Sequence, residues 1–160
     1  MDKASVEVYL LNRSMPSQKL RQIIPCDKHM FLRKSCSKDI MAVAASDSAI
    51  GIDIEENVPR NAQTIEYYQK RFITFRIIDS RLTGLADFYK AWTAMESYFK
   101  LTGKGFYANK DFTFDLKENI VLINGNVAAY LFFVYYSCFT VCICIGANAR
   151  ISGIHMEDVL

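Results

Sequence analysis

The chain has 160 residues, 51% of them hydrophobic and 22% charged, with a formal net charge of +2. That length suits one domain around one core, and that composition excludes a disordered or fibrous protein. The near-neutral balance excludes a dedicated nucleic-acid binder, so an anionic partner has to be met locally by a few Lys and Arg. The five cysteines are an odd number without a regular framework, and residues 1–13 carry an acid at position 2 and no apolar stretch of signal length. Both features point to a reducing, cytoplasmic setting.

In chain order, residues 6–11 form a short apolar strand, and Pro16 stands where a first helical turn tolerates it, ahead of a helix over 18–24 that Pro25 ends. Residues 31–35, 40–45 and 50–54 read as strands, with Asp47 and Ser48 as turn formers between the last two. Residues 57–61 form a loop around Pro59, and residues 62–75 are a helix candidate. The strongest helix covers 87–101. Phe88, Trp92, Met95 and Phe99 make its apolar stripe, with Trp92 read as core, and Gly103 stops it. Strands follow at 111–116 and 120–123, then a turn at Asn124, Gly125 and Asn126.

Residues 127–147 contain no charged side chain over 21 positions, which is long enough to span a bilayer. The stretch is rich in β-branched and aromatic residues and lacks basic flanks, so it reads as two buried strands that reverse near Tyr136 and Ser137, with no membrane contact. Cys138, Cys142 and Cys144 share strand parity there and read as buried thiols, not as a zinc cluster. The order is mixed, and the fold class is α+β, with antiparallel strands packed on helices.

Two patterns carry chemistry. In Ile50-Gly51-Ile52-Asp53-Ile54-Glu55, strand geometry puts both carboxylates on one face and the three isoleucines on the other. Such a pair calls for a cation between the acids, and hard oxygen ligands suit Mg²⁺ or Mn²⁺; a solvated strand end with two exposed acids is the plainer alternative. On the helix, Glu96 and Lys100 lie four apart and project from one side, with Thr93 a turn earlier; a surface ion pair is the plainer meaning of that spacing.

Together, Ile-Gly-Ile-Asp-Ile-Glu, then Trp92-Thr93-x-x-Glu96-Ser97-x-x-Lys100, then Gly103-Lys104-Gly105, resemble the 4′-phosphopantetheinyl transferase superfamily, in particular its surfactin-synthetase-activating type. The match is continuous over about residues 41–106. The resemblance implies an enzyme that moves 4′-phosphopantetheine from coenzyme A to a serine of an apo acyl or peptidyl carrier protein, releasing 3′,5′-ADP. It implies Asp53, Glu55 and Glu96 as Mg²⁺ ligands, Glu96 as general base, and Lys100 as the lysine that meets the pyrophosphate. Lys104 between its glycines is a further phosphate contact or a charge answering the helix dipole.

The chain departs from that pattern in three places. Met95 stands where the family has a lysine before the helix glutamate. Ser35-Cys36-Ser37 stands where it has Ser-His-Ser, and a thiol supplies no cationic donor, which leaves Lys34 or Lys38 to substitute beside Ser35. Only residues 1–45 precede the main catalytic half, 46–160, and they retain Arg13, Lys28, Arg33, Lys34 and Lys38. Either they form a reduced first half, the preferred reading, or a second copy completes the nucleotide pocket. A degenerate member that binds coenzyme A or carrier protein without turnover is the competing function.

Overall fold

The computed structural model describes residues 4–24, 30–70, 77, 84–104 and 112–157. The elements run β1 (Ala4–Asn12), α1 (Ser17–Ile23), β2 (Phe31–Ser37), β3 (Ile40–Ser46), β4 (Ile50–Glu56), α2 (Ala62–Tyr68), α3 (Leu85–Thr102), β5 (Phe112–Asp115), β6 (Ile120–Ile123), β7 (Asn126–Tyr136), β8 (Phe139–Gly146) and β9 (Ala149–Glu157). They make two sheets, one ordered β2-β3-β1-β9 and the other β4-β8-β7-β6-β5. This is the α+β class that the sequence predicts.

Strand alternation sets the layers. Val6, Val8 and Leu10 of β1, Ala42 and Ala44 of β3, Ile50, Ile52 and Ile54 of β4, and Val141, Ile143 and Ile145 of β8 form one buried cluster between the two sheets. The opposite face of the first sheet, through Tyr9, Leu11, Met41 and Val43, takes Leu20 and Ile23 of α1. The opposite face of the second sheet, through Phe112, Phe114, Val121, Leu131 and Cys144, takes Ala94, Met95 and Tyr98 of α3. Each helix therefore covers the face of its sheet that the other sheet leaves open.

Several expectations need correction. The helix after Pro59 has α-helical geometry only to Tyr68, and residues 71–75, which the expected 62–75 element would include, lie outside the described residues. Of the two strands expected to be buried, β8 is, but β7 exposes Tyr130, Phe132 and Tyr135, because it lies outboard of β8. Cys142 and Cys144 are buried and Cys138 is exposed at the β7–β8 turn. Trp92 is half-buried; the deeply buried face of α3 is instead Phe88, Tyr89, Ala91, Ala94, Met95 and Tyr98. No element is expected beyond residue 147, yet β9 returns to the first sheet and pairs in parallel with β1. A parallel partner has no local hairpin signal, so nothing near it in sequence announces the pairing. No helix among the described residues is long and apolar enough to cross a membrane.

Candidate active site

The site grows from the place where an edge strand of each sheet meets the last turns of α3. β4 is the edge of the second sheet, and its isoleucines face the first sheet, so Gly51, Asp53 and Glu55 face α3. Gly51 permits a very close approach: a Cβ there would lie 1.8 Å from the Ser97 carbonyl oxygen. The facing helix surface is small and self-satisfied. Thr93 Oγ1 donates to the Tyr89 carbonyl at 2.8 Å and Ser97 Oγ to the Ala94 carbonyl at 2.9 Å. Thr93 is thus buried structure, not part of an open face with Glu96.

β2 is the edge of the first sheet. Its Ser35 pairs with Ala42 of the inter-sheet core, so Ser35 points toward β4. Ser35 Oγ donates to Asp53 Oδ1 at 2.8 Å; Lys100 Nζ reaches the same oxygen at 2.7 Å and Ser35 Oγ at 3.0 Å. Asp53 is 4% exposed, and its other oxygen, Oδ2, is buried with no hydrogen-bond partner among the described residues. Burial raises the Asp53 pKa against the lowering influence of the Lys100 charge. Burial likewise raises the pKa of Glu55 and Glu96, and the Asp53 charge pushes both further up. Three carboxylates thus crowd one lysine, and Glu96 accepts no hydrogen bond among the described residues.

A model of the 4′-phosphopantetheinyl transferase superfamily matches residues 49–131, just over half of the chain. The chain belongs to this superfamily. No curated protein matches it. The matched span of this phosphopantetheinyl-type transferase carries β4, α2, α3, β5, β6 and the first half of β7, and so Asp53, Glu55, Glu96 and Lys100 together.

Not all the expected residues gather there. Lys34 sits on the opposite face of β2, across from Val43 and on the α1 side, as does Cys36 across from Met41. Lys38 is held by Glu56 at 2.7 Å. Lys104 is exposed beyond the end of α3, and Lys28 lies outside the described residues. Met95 is 2% exposed in the core beneath α3, so that position serves packing. Two neighbours lie outside the expected site residues: Arg33, named only among the cations that residues 1–45 retain, and Arg60, which the sequence reading missed. Arg33 Nε donates to the Lys100 carbonyl at 3.4 Å, and Arg60 Nε donates to the Tyr89 hydroxyl at 2.8 Å, within electrostatic reach of Glu55. Only strand parity could have flagged Arg33, and nothing local flags Arg60.

Among the described residues no three acidic, Cys or His side chains stand close enough to hold a metal ion. At this site the Lys100 ammonium pairs with Asp53 Oδ1 at 2.7 Å, where a metal ion would compete for the same oxygen. The donor set nonetheless fits a hard divalent cation. The three carboxylates resist ionisation together, and Asp53 Oδ2 has lone pairs without a donor.

This crowding has a stability consequence. A carboxyl whose pKa is raised by folding holds its proton longer in the folded chain, so stability falls as pH climbs from the ordinary carboxylate range to the raised value. Glu55→Gln removes one such group and keeps an oxygen for the hydrogen bond that Glu55 accepts from Trp92. In metal-free buffer at pH 7 the variant is expected to melt about 2–4 °C higher than the wild type, a gain on the order of 1 kcal/mol. At pH 4 the difference should vanish. Thermal melts at the two pH values check it, and a variant that melts lower at pH 7 contradicts the argument.

Proposed function

We propose that the protein transfers 4′-phosphopantetheine from coenzyme A to the serine hydroxyl of an apo acyl or peptidyl carrier protein, releasing 3′,5′-ADP. The observation that carries this reading is that Lys100 pairs with Asp53, that Glu55 and Glu96 lie within electrostatic reach of both, and that the second oxygen of Asp53 is buried without a partner among the described residues. Asp53, Glu55 and Glu96 would hold a Mg²⁺ ion, which when bound supplies positive charge against the diphosphate of coenzyme A.

The chain's own residues account for the rest. Glu96 takes the proton from the acceptor serine, and its raised pKa makes it a stronger base than an exposed glutamate. The serine oxygen forms its bond to the β-phosphorus as the bond to the 3′,5′-ADP oxygen breaks. Lys100, 30% exposed and able to leave Asp53, neutralises the negative charge that grows on the departing 5′-phosphate of 3′,5′-ADP. Ser35 orients Lys100 in the resting site. We read the first sheet with α1 as a reduced first half of a surfactin-type member, because β1, β2 and β3 build their own layer against β4, with β9 closing it. A second reading, binding without turnover, is favoured by Met95 in the core and by Cys36 facing away from the site.

Incubating the protein with apo acyl carrier protein, coenzyme A and Mg²⁺ should add one phosphopantetheine to the carrier by intact-mass measurement, and EDTA should abolish the gain. No gain on a panel of apo carriers, with coenzyme A binding intact, would favour the second reading. Lys100 also guards the acids. Lys100→Met is expected to tighten Mg²⁺ binding in the absence of coenzyme A by on the order of tenfold, since one positive charge leaves the site, while transfer falls. Calorimetric Mg²⁺ titration of the two proteins checks this, and weaker binding by the variant would contradict it.

A further inference from the structure

β7 is 11 residues long and β6 only 4, so β6 covers part of its flank. The pairing runs from Ile123 opposite Asn126 to Ile120 opposite Tyr130, and one last bond, from the Leu131 N–H to the Asn119 carbonyl at 2.8 Å, ends it. Beyond that point residues 132–136 pair with β8 alone among the described residues. In an antiparallel ladder a residue turns its N–H and C=O to the same neighbour, and the next residue turns both to the other. Leu131 turns away from β8, so Phe133 and Tyr135 do too. Their main-chain donors and acceptors form an open edge.

This edge carries none of the devices that keep strands apart. β7 contains no charged residue and no proline. It is aromatic on both faces, with Tyr135 61% exposed and Phe132 40% exposed. A groove of about 520 Å³ runs along it, with Lys90, Glu118 and Asn119 as its polar wall. On the α3 face the Phe133 and Tyr135 rings stack at 6.4 Å. The Lys90 ammonium lies 4.9 Å from the Phe133 ring centre and donates to the Leu116 carbonyl at 2.7 Å, while Asp87 is within electrostatic reach of Tyr135. A cation therefore stands at the Phe133 end of the open stretch and an acid at the Tyr135 end.

We infer that this edge pairs with the same edge of a second copy of the chain, antiparallel about a two-fold axis at Val134. That register sets Phe133 opposite the second copy's Tyr135, so the free N–H and C=O groups of both residues meet partners and Val134 meets its counterpart. It also sets ring against ring across the pair. Because Lys90 stands at Phe133 and Asp87 at Tyr135, the two-fold brings Lys90 of each copy toward Asp87 of the other. This reciprocal charge match favours a second copy over an unrelated extended peptide. A closed pair uses up both edges, so nothing is left to propagate. β8 separates β7 from β4, so each copy keeps its own acidic site, and the inference stands independently of the transfer reaction.

Sedimentation equilibrium of the full chain at micromolar concentrations is expected to give a dimer. Tyr135→Pro removes an N–H on the open side and leaves the β8 ladder intact, and should give a monomer. Tyr135→Lys, which sets a cation beside the second copy's Lys90, should do the same. Lys90→Asp should raise the dimer dissociation constant about tenfold, and combining it with Asp87→Lys should restore it to within about threefold of wild type. Val134→Cys reads the register: non-hydrogen-bonded counterparts stand about 4.5 Å apart, within disulfide range, so mild oxidation should join the two introduced thiols. Circular dichroism verifies the fold of each variant. A wild-type monomer overturns the inference. So does a dimer that survives in the folded Tyr135 variants, one whose introduced thiols stay unjoined, or an exchanged charge pair that associates no better than Lys90→Asp alone.

Discussion

Glu96→Gln is expected to lower kcat for phosphopantetheine transfer by about 10³-fold, within the span that general-base removal produces. The amide keeps the size of the side chain and one oxygen for a cation, and it removes the proton acceptor. The expected split is therefore a collapse of kcat with the KM for coenzyme A nearly unchanged, measured by the rate of mass gain on apo carrier. The pH profile gives an independent sign. A base must be deprotonated to act, so the wild-type rate falls as pH drops through the Glu96 pKa. Burial and the Asp53 charge hold that pKa above the ordinary glutamate value in the metal-free protein, with Lys100 opposing them. Raising Mg²⁺ from limiting to saturating should move this acidic limb to lower pH, since a neighbouring cation favours the charged form. In the Gln variant the limb should be absent. A variant with more than a tenth of wild-type kcat, or one that keeps the limb, would assign the proton to another group.

The facing of the four candidate side chains was legible because it depends on local periodicity. Two-residue spacing on β4 puts Asp53 and Glu55 on one face, and four-residue spacing on α3 puts Glu96 and Lys100 on another, whatever the rest of the chain does. What brings those faces together is Gly51 opposite Ser97, a contact between residues far apart in sequence. Strand parity also decides which cations of the first segment can join. Ser35 and Arg33 face the site, whereas Lys34 and Cys36, one step away, face α1. A register of one residue separates the two outcomes, and only the β2–β3 pairing fixes it. Arg60 was illegible for another reason. Its position depends on the Tyr89 hydroxyl, which the helix stripe of Phe88, Trp92, Met95 and Phe99 gave no cause to single out. The exposed face of β7 escaped notice because an apolar run shows that a strand can be buried, not how wide the opposing sheet is.

Among the described glycines, Gly51→Ala should be the most damaging added methyl. Its Cβ would meet the Ser97 carbonyl oxygen at 1.8 Å, the Leu101 backbone nitrogen at 2.7 Å and the Ser97 carbonyl carbon at 2.8 Å. All three are backbone atoms of α3, so no side-chain rotation relieves the overlap, and the helix has to move away from β4. Such overpacking costs about 3 kcal/mol, and a domain of this size then melts roughly 6–12 °C lower. The functional loss should exceed what lower stability explains. Glu96 and Lys100 ride on the two turns of helix that flank Ser97, whereas Asp53 and Glu55 ride on the strand, so lifting α3 by about 1 Å opens every distance between the two pairs. Displacement on that scale is expected to cost about 10²-fold in transfer even at a temperature where the variant is fully folded. Assaying mass gain at 15 °C, with circular dichroism to verify the fold, separates the two effects. Wild-type activity in a folded Gly51→Ala protein would show that the close strand–helix contact does not set the geometry of the site.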